Sequence, residues 1–271
     1  MRAYLSVLSA RFRVLLQYRA AAWAGFGTQC FFGLIRIMIF TGFYFSSLKT
    51  QPLSYSQMIS YVWLGQALFA LIPFRVDADI EQMIRSGDIC YEILRPVRLY
   101  AYWFARAVAQ RTAPVMLRAL PMIVLAGFIF PLVGAENWAL HAPVSLPAFL
   151  LFLVSVLAAV LLACTMSLLM SVSLFWTIAA DGVSNLFPVI IWNFCGILLP
   201  LPFFPDWAQP LFKVLPFRGL MDVPFRIYIG SIPVGPGLGE IGIQFLWILA
   251  LALLGSYLLS RGLAKVVVQG G

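Results

Sequence analysis

Six stretches of this chain are apolar over about 20 residues or more, the length of helix that crosses a hydrocarbon core about 30 Å thick. They span residues 20–45, 55–74, 112–133, 146–175, 183–201 and 241–259. None alternates polar and apolar residues as a barrel strand does, so helices are the only spanning form open to them. Composition closes the soluble alternative. Of 271 residues, 62% are hydrophobic and 10% charged, where an ordinary soluble domain carries about 25% charged residues. A globule of this size still shows much of its surface to water and cannot hide that much apolar area. The expected fold is an all-α polytopic membrane protein of six transmembrane helices.

The net charge of +8 is distributed by position. Arg2, Arg11, Arg13, Arg19, Arg75, Arg85, Arg95, Arg98, Arg106, Arg111, Arg261 and Lys265 fall in alternate connecting segments and at the two ends. Only Lys49, Lys213, Arg218 and Arg226 fall in the others. The positive-inside rule then puts both termini in the cytoplasm. Basic residues beside apolar spans also meet anionic lipid, which accounts for the charge without nucleic acid. Cys30, Cys90, Cys164 and Cys195 show no C-x-x-C spacing, and His141 is the single histidine, so no metal site is expected. Ala20-Ala21-Ala22 imitates a cleavage site, yet Arg11, Arg13 and Arg19 stand where a signal peptide needs its apolar core.

Three segments outside the spans have structure of their own. In residues 1–19, Leu5, Leu8, Phe12, Leu15 and Leu16 share one helical face, opposite Arg2, Ser6, Ser9, Arg13 and Gln17. That pattern predicts an amphipathic helix lying in the headgroup region. Residues 75–111 hold Asp77, Asp79, Glu81, Asp88 and Glu92, half of all the acidic residues. Their local pattern predicts a helix over 79–85, a stop at Ser86-Gly87, a cap at Asp88 and a short helix over 89–94 closed by Pro96. The 200–236 segment carries eight prolines and clustered aromatics, and predicts short helices dipping into the outer leaflet.

The apolar runs contain no carboxylate, and the chain has no G-x-x-x-x-G-K-[ST] loop, H-E-x-x-H or G-x-S-x-G motif. No catalytic site, no metal and no cofactor are therefore expected in this chain. Two arginines fall inside spans. Arg118 is expected to snorkel to the headgroups. Arg36, near mid-span, has two readings: a place in a translocation path, or a structural pairing with backbone or with side chains such as Gln66 and Asn193. A membrane pathway without an engine, an ion-driven carrier acting alone and a non-transporting scaffold are all compatible with the pattern so far.

The segment Asp79-Ile80-Glu81-Gln82-Met83-Ile84-Arg85-Ser86-Gly87-Asp88-Ile89-Cys90-Tyr91-Glu92-Ile93-Leu94-Arg95-Pro96 resembles the loop between the second and third spans of type-two ABC exporter permeases. Gly87-Asp88 with Tyr91 through Pro96, Trp63-Leu64-Gly65-Gln66-Ala67-Leu68 upstream and Tyr102-Trp103 downstream resemble its daunorubicin-like or viologen-type multidrug efflux branch. Ile84 stands where the broader family often has Glu. The resemblance implies one permease domain over 1–271: an interfacial helix (1–19), spans one and two (20–74), a cytoplasmic coupling loop (75–111), spans three to five (112–201), an outer Pro-rich loop (202–240), then the last span and tail (241–271). It implies a bacterial inner-membrane location, two separate ATPase subunits that carry the ATP and Mg, a second permease subunit in a homo- or heterodimer, and export of an amphipathic or hydrophobic cargo. Coupling to the ATPase would fall to Arg85, Gly87, Asp88, Ile89, Tyr91, Glu92, Ile93, Arg95 and Pro96. Asp88, Glu92, Arg85 and Arg95 would supply charge, and Ile89, Tyr91 and Ile93 an apolar contact.

Overall fold

The computed structural model describes residues 2–46, 50–177 and 180–264. Lys49 and Lys265, two of the charges that bear on orientation, lie outside the described residues. Every regular element among those described is helical. In chain order they are α1 (Arg2–Leu16), α2 (Arg19–Ser46), α3 (Tyr55–Ala67), α4 (Ala78–Ser86), α5 (Ile89–Ile93), α6 (Leu99–Leu132), α7 (Leu146–Ser173), α8 (Ala180–Phe194), α9 (Gln209–Val214), α10 (Asp222–Tyr228) and α11 (Val234–Leu263). The all-α polytopic expectation stands.

The lengths differ from those read off the apolar runs. Four helices, α2, α6, α7 and α11, are long and apolar enough to cross a membrane. The second and fifth runs form shorter helices, α3 of 13 residues and α8 of 15. Helix α3 passes into a single tight turn at Phe69–Leu71 ahead of Pro73. Helix α8 stops because Gly196 turns left-handed at φ 88°, a conformation that glycine adopts without steric penalty. Conversely, α6 and α11 begin well before their apolar runs, at Leu99 and Val234. The first four turns of α6 therefore carry Arg106 and Arg111 on a helix, not on a loop. Ahead of Pro131, which has no N–H to give, α6 widens into a π-turn at Leu125–Ile129. The Ala126 carbonyl there accepts from Leu140 N at 2.8 Å.

Helix α3 is the buried centre, with every residue from Met58 to Ala67 withdrawn from the surface. The outward faces of α2 (Phe31, Phe32, Met38, Ile39) and α11 (Leu246, Leu249, Leu253) are exposed and apolar, as faces toward lipid must be. The Pro-rich segment folds as expected into short helices. Helix α10 is buried over most of its length, and Gln244 of α11 ties the block down by donating to Gly219 O at 2.7 Å and accepting from Ser155 Oγ of α7 at 2.9 Å.

The bundle has two distinct ends. At one, α4 and α5 sit against the start of α6 (Leu99, Trp103), the end of α7 (Leu168, Val172) and Leu259 near the end of α11. At the other, α3 and the link before α7 meet α10, through Gln57 Nε2 to Ile229 O at 3.0 Å and Val144 N to Tyr228 O at 3.3 Å. Helix α1 is amphipathic and helical as expected, and it also has a protein partner. It docks along α6, from the Tyr4 hydroxyl, which accepts from Arg98 N at 3.1 Å, to Leu16 beside Leu117 and Leu120. Leu8, Phe12, Leu15 and Leu16 are half-buried, while Leu5 is exposed. The apolar stripe thus rests partly on protein.

Candidate functional site

The α4–α5 elbow is built by local chemistry. Asp77 caps α4, its Oδ1 accepting from Asp79 N at 2.9 Å and from Ile80 N at 3.4 Å. The helix ends at Gly87, φ 80°. A Cβ there would meet nothing within 4 Å, so the requirement at Gly87 is backbone angle and not space. Helix α5 then turns across the end of the bundle. Ile80 of α4 and Ile89 of α5 are both buried in one cluster with Trp103, Leu168 and Val172. Tyr91, Ile93 and Leu94 remain 70%, 46% and 80% exposed, with exposed Arg85, Asp88, Arg95 and Pro96 around them.

Three side chains of this segment are placed otherwise than expected. Asp88 does not cap α5. Its backbone is helical and its carboxylate accepts from Ser86 Oγ at 2.6 Å, so it braces the turn behind it. Ile89 is packed inside and is not free to fill a partner's groove. Glu92 is also inward, 6% exposed, and pairs with Arg95 at 3.1 Å. Arg95 in turn donates to the Tyr102 hydroxyl at 2.8 Å and lies 5.4 Å from that ring's centre. The apolar side chains left exposed are therefore Tyr91, Ile93 and, just past the end of α5, Leu94. A period of 3.6 residues puts Ile89 and Glu92 on one side and Tyr91 and Leu94 on the other. Which side meets the bundle depends on the angle at Gly87.

A second feature was not read from the sequence. Arg106 of α6 donates to Asp79 Oδ2 at 2.7 Å and lies 3.8 Å from Asp77 Oδ1, while Arg11 of α1 pairs with the same Asp79 carboxylate. One carboxylate on α4 thus fastens the elbow to α6 and to α1. The usable signal was the spacing Leu99, Trp103, Arg106, which puts the arginine on the buried face of α6.

Arg36 pairs with backbone. Its guanidinium donates to Ile197 O and, at 2.7 Å, to Leu198 O, where α8 has broken. Neither Gln66 nor Asn193 is its partner; the Asn193 amide bonds back to Val189 O at 2.8 Å. The same break is gripped from its other side. The Tyr61 hydroxyl lies 3.1 Å from both Gly196 O and Asp222 Oδ1, and Asp222 Oδ1 accepts from Leu201 N at 3.3 Å. Tyr61 and Asp222 were missed because nothing local marks them; the fold brings them together. Arg218, counted among the outer charges, is 6% exposed and pairs with Glu240. Arg118 lies across Gly25 of α2, where a Cβ would come 2.6 Å from its Cζ.

The model of a family described as ABC-2 family transporter protein matches residues 34–270. This chain belongs to the ABC-2 transporter family. It is therefore a multi-pass membrane permease of an ABC transporter, a transport subunit that works with ABC ATPase partners. The match takes in the elbow, the α8 break and the Pro-rich block; α1 precedes it. Comparison with curated proteins and with solved structures returns no significant match.

Proposed function

We propose that this ABC-2 permease is the membrane half of an exporter, coupled through α5 to two separate ATPase subunits and paired with a second permease subunit. The observation that carries the proposal is the elbow. A rigid short helix, aimed by a left-handed glycine and seated on the ends of three long helices, presents Tyr91, Ile93 and Leu94 to water. Three exposed apolar side chains in so short a segment are a contact surface awaiting a partner. Movement imposed on α5 passes through Ile80 and Ile89 to α6, α7 and α11 together, which is what alternating access requires.

With the termini cytoplasmic by the positive-inside rule, α4 and α5 face the ATPases, in a bacterial inner membrane. The cargo is an amphipathic or hydrophobic compound, in keeping with the resemblance to the multidrug efflux branch and with walls rich in Phe and Met. The nucleotide and its Mg belong to the partner subunits. Arg36, which holds the α8 break, would influence transport by keeping that break in place.

The test is purification of the chain together with its ATPase, in wild type and in Tyr91→Glu with Leu94→Glu. We expect the double variant to insert normally and to lose the ATPase and cargo-stimulated hydrolysis. An unchanged complex would discard α5 as the dock. Transport by the purified chain without any ATPase would favour an ion-driven carrier.

A further inference from the structure

A cavity of 320 Å³ lies behind α4, lined by Arg75, Val76, Asp77 and Ile80 from the α3–α4 link and α4, by Gln110 and Arg111 of α6, and by Ser167 and Ser171 of α7. Its size is at the lower end of small-molecule sites, about 300–1,000 Å³. The polar side is built and positive. Arg111 is held in place by Ile72 O at 2.9 Å and Ser167 Oγ at 2.8 Å. Exposed Arg75 has no carboxylate partner among the described residues. The single carboxylate in the lining, Asp77, is already engaged by the α4 amides and lies 3.8 Å from Arg106. Arg75 has no anion of its own and Arg111 shares Asp77 with Arg106, so positive charge exceeds negative around the space, and the planar guanidinium forks suit phosphate or carboxylate oxygens.

The opposite side is apolar, from Phe74, Val76, Ile80 and Leu168. The cavity also sits at a telling depth. Arg111 is the last residue before the apolar run of α6 begins, and α2 starts beside the same stretch, with Arg19 close to Met116. That is headgroup level for a helix entering lipid. We propose that this cavity binds the oxyanion head of an anionic amphiphile, a phosphate monoester or a carboxylate with its tail toward the lipid. Because one wall is the first turn of α4, an occupant bridges α6 and α7 to the elbow. Occupancy can shift the elbow only as far as the ligand prefers one arrangement over the other.

Binding needs no ATPase, so failure here leaves the proposed function standing. The full chain in maltoside micelles is titrated with dodecyl phosphate while thermal unfolding is followed. A saturable rise in unfolding temperature is expected, with no comparable rise from dodecanol or from inorganic phosphate. Arg75→Glu, at an exposed position, should fold normally and weaken the apparent affinity about tenfold or more, the loss of one charged hydrogen bond. Arg75→Lys should fall between. Equal responses in wild type and Arg75→Glu, or an equal response to dodecanol, would overturn the site. An equal response to inorganic phosphate would overturn the amphiphile. Repetition in nanodiscs separates the sources: loss of the response only in phosphatidylglycerol discs marks a resident lipid in the cavity, and its survival in phosphatidylglycerol and phosphatidylcholine discs alike marks a single-chain ligand. Both support the site.

Discussion

At the scale of single residues, two positions carry more consequence than their size suggests. Gly87 has open space around it and a φ of 80°, so substitution there should follow backbone preference and not volume. Gly87→Asn should be tolerated, Gly87→Ala should cost about 1–2 kcal/mol of local stability, and Gly87→Val should cost more. ATP turnover of the assembled complex should fall in that order while insertion is kept, and equal turnover in all three would show that the angle does not matter. Arg36 holds two carbonyls at the α8 break. Arg36→Lys keeps the charge but reaches one carbonyl at a time, and Arg36→Ala leaves both unpaired, at about 1–3 kcal/mol for each group stranded away from water. Hydrogen exchange over residues 195–201 should rise in both variants, more in Ala; protection equal to wild type would mean that Tyr61 and Asp222 suffice.

At the scale of elements, the Asp79 carboxylate joins α4 to α1 and α6. Asp79→Asn would leave Arg106, 8% exposed, with only the more distant Asp77. Because Asp79 itself is about half exposed, the expected loss is about 1–2 kcal/mol, well short of that for a fully buried pair. The specific effect should be on α1, whose amides should exchange faster as it loosens from α6. Arg85→Gln, which breaks only the exposed pair with Glu81 at 2.8 Å, should leave α1 as in wild type. The short helices around Gly87 were legible in the sequence because each obeys a local rule: a glycine stop, an acidic residue ahead of an apolar stripe, a proline beyond. Asp77 caps α4 with its side chain, whereas Asp88, at the head of α5, makes no side-chain capping bond. Two carboxylates at similar positions look alike until the backbone is known: Asp77 is extended, whereas Asp88 is helical and engaged by Ser86 Oγ.

At the scale of the molecule, α4 and α5 lie at one end of the bundle with the ends of α7 and α11, and His141 is exposed at the other. In a background without the native thiols, a cysteine at Asp88 should label from the cytoplasm and one at His141 from outside. Labelling of both from one side would show that α6 does not cross the membrane between them. Arg218 is unsuited to this test because it is buried against Glu240.

The sequence by itself determined that the chain is helical, spans a membrane several times and breaks twice into short amphipathic or Pro-rich pieces. Those properties follow from the length and polarity of contiguous runs, which water and lipid sort without reference to the fold. Tertiary structure alone decided that α3 is the buried core while α2 faces outward, though both runs are apolar. It also decided that α1 rests on protein, that Ile89 and Glu92 turn inward, and that Arg36, Tyr61 and Asp222 close on one break from distant parts of the chain. Hydropathy reports how much a segment avoids water. It is silent on which neighbour replaces the water, and only packing chooses among lipid, helix and carbonyl.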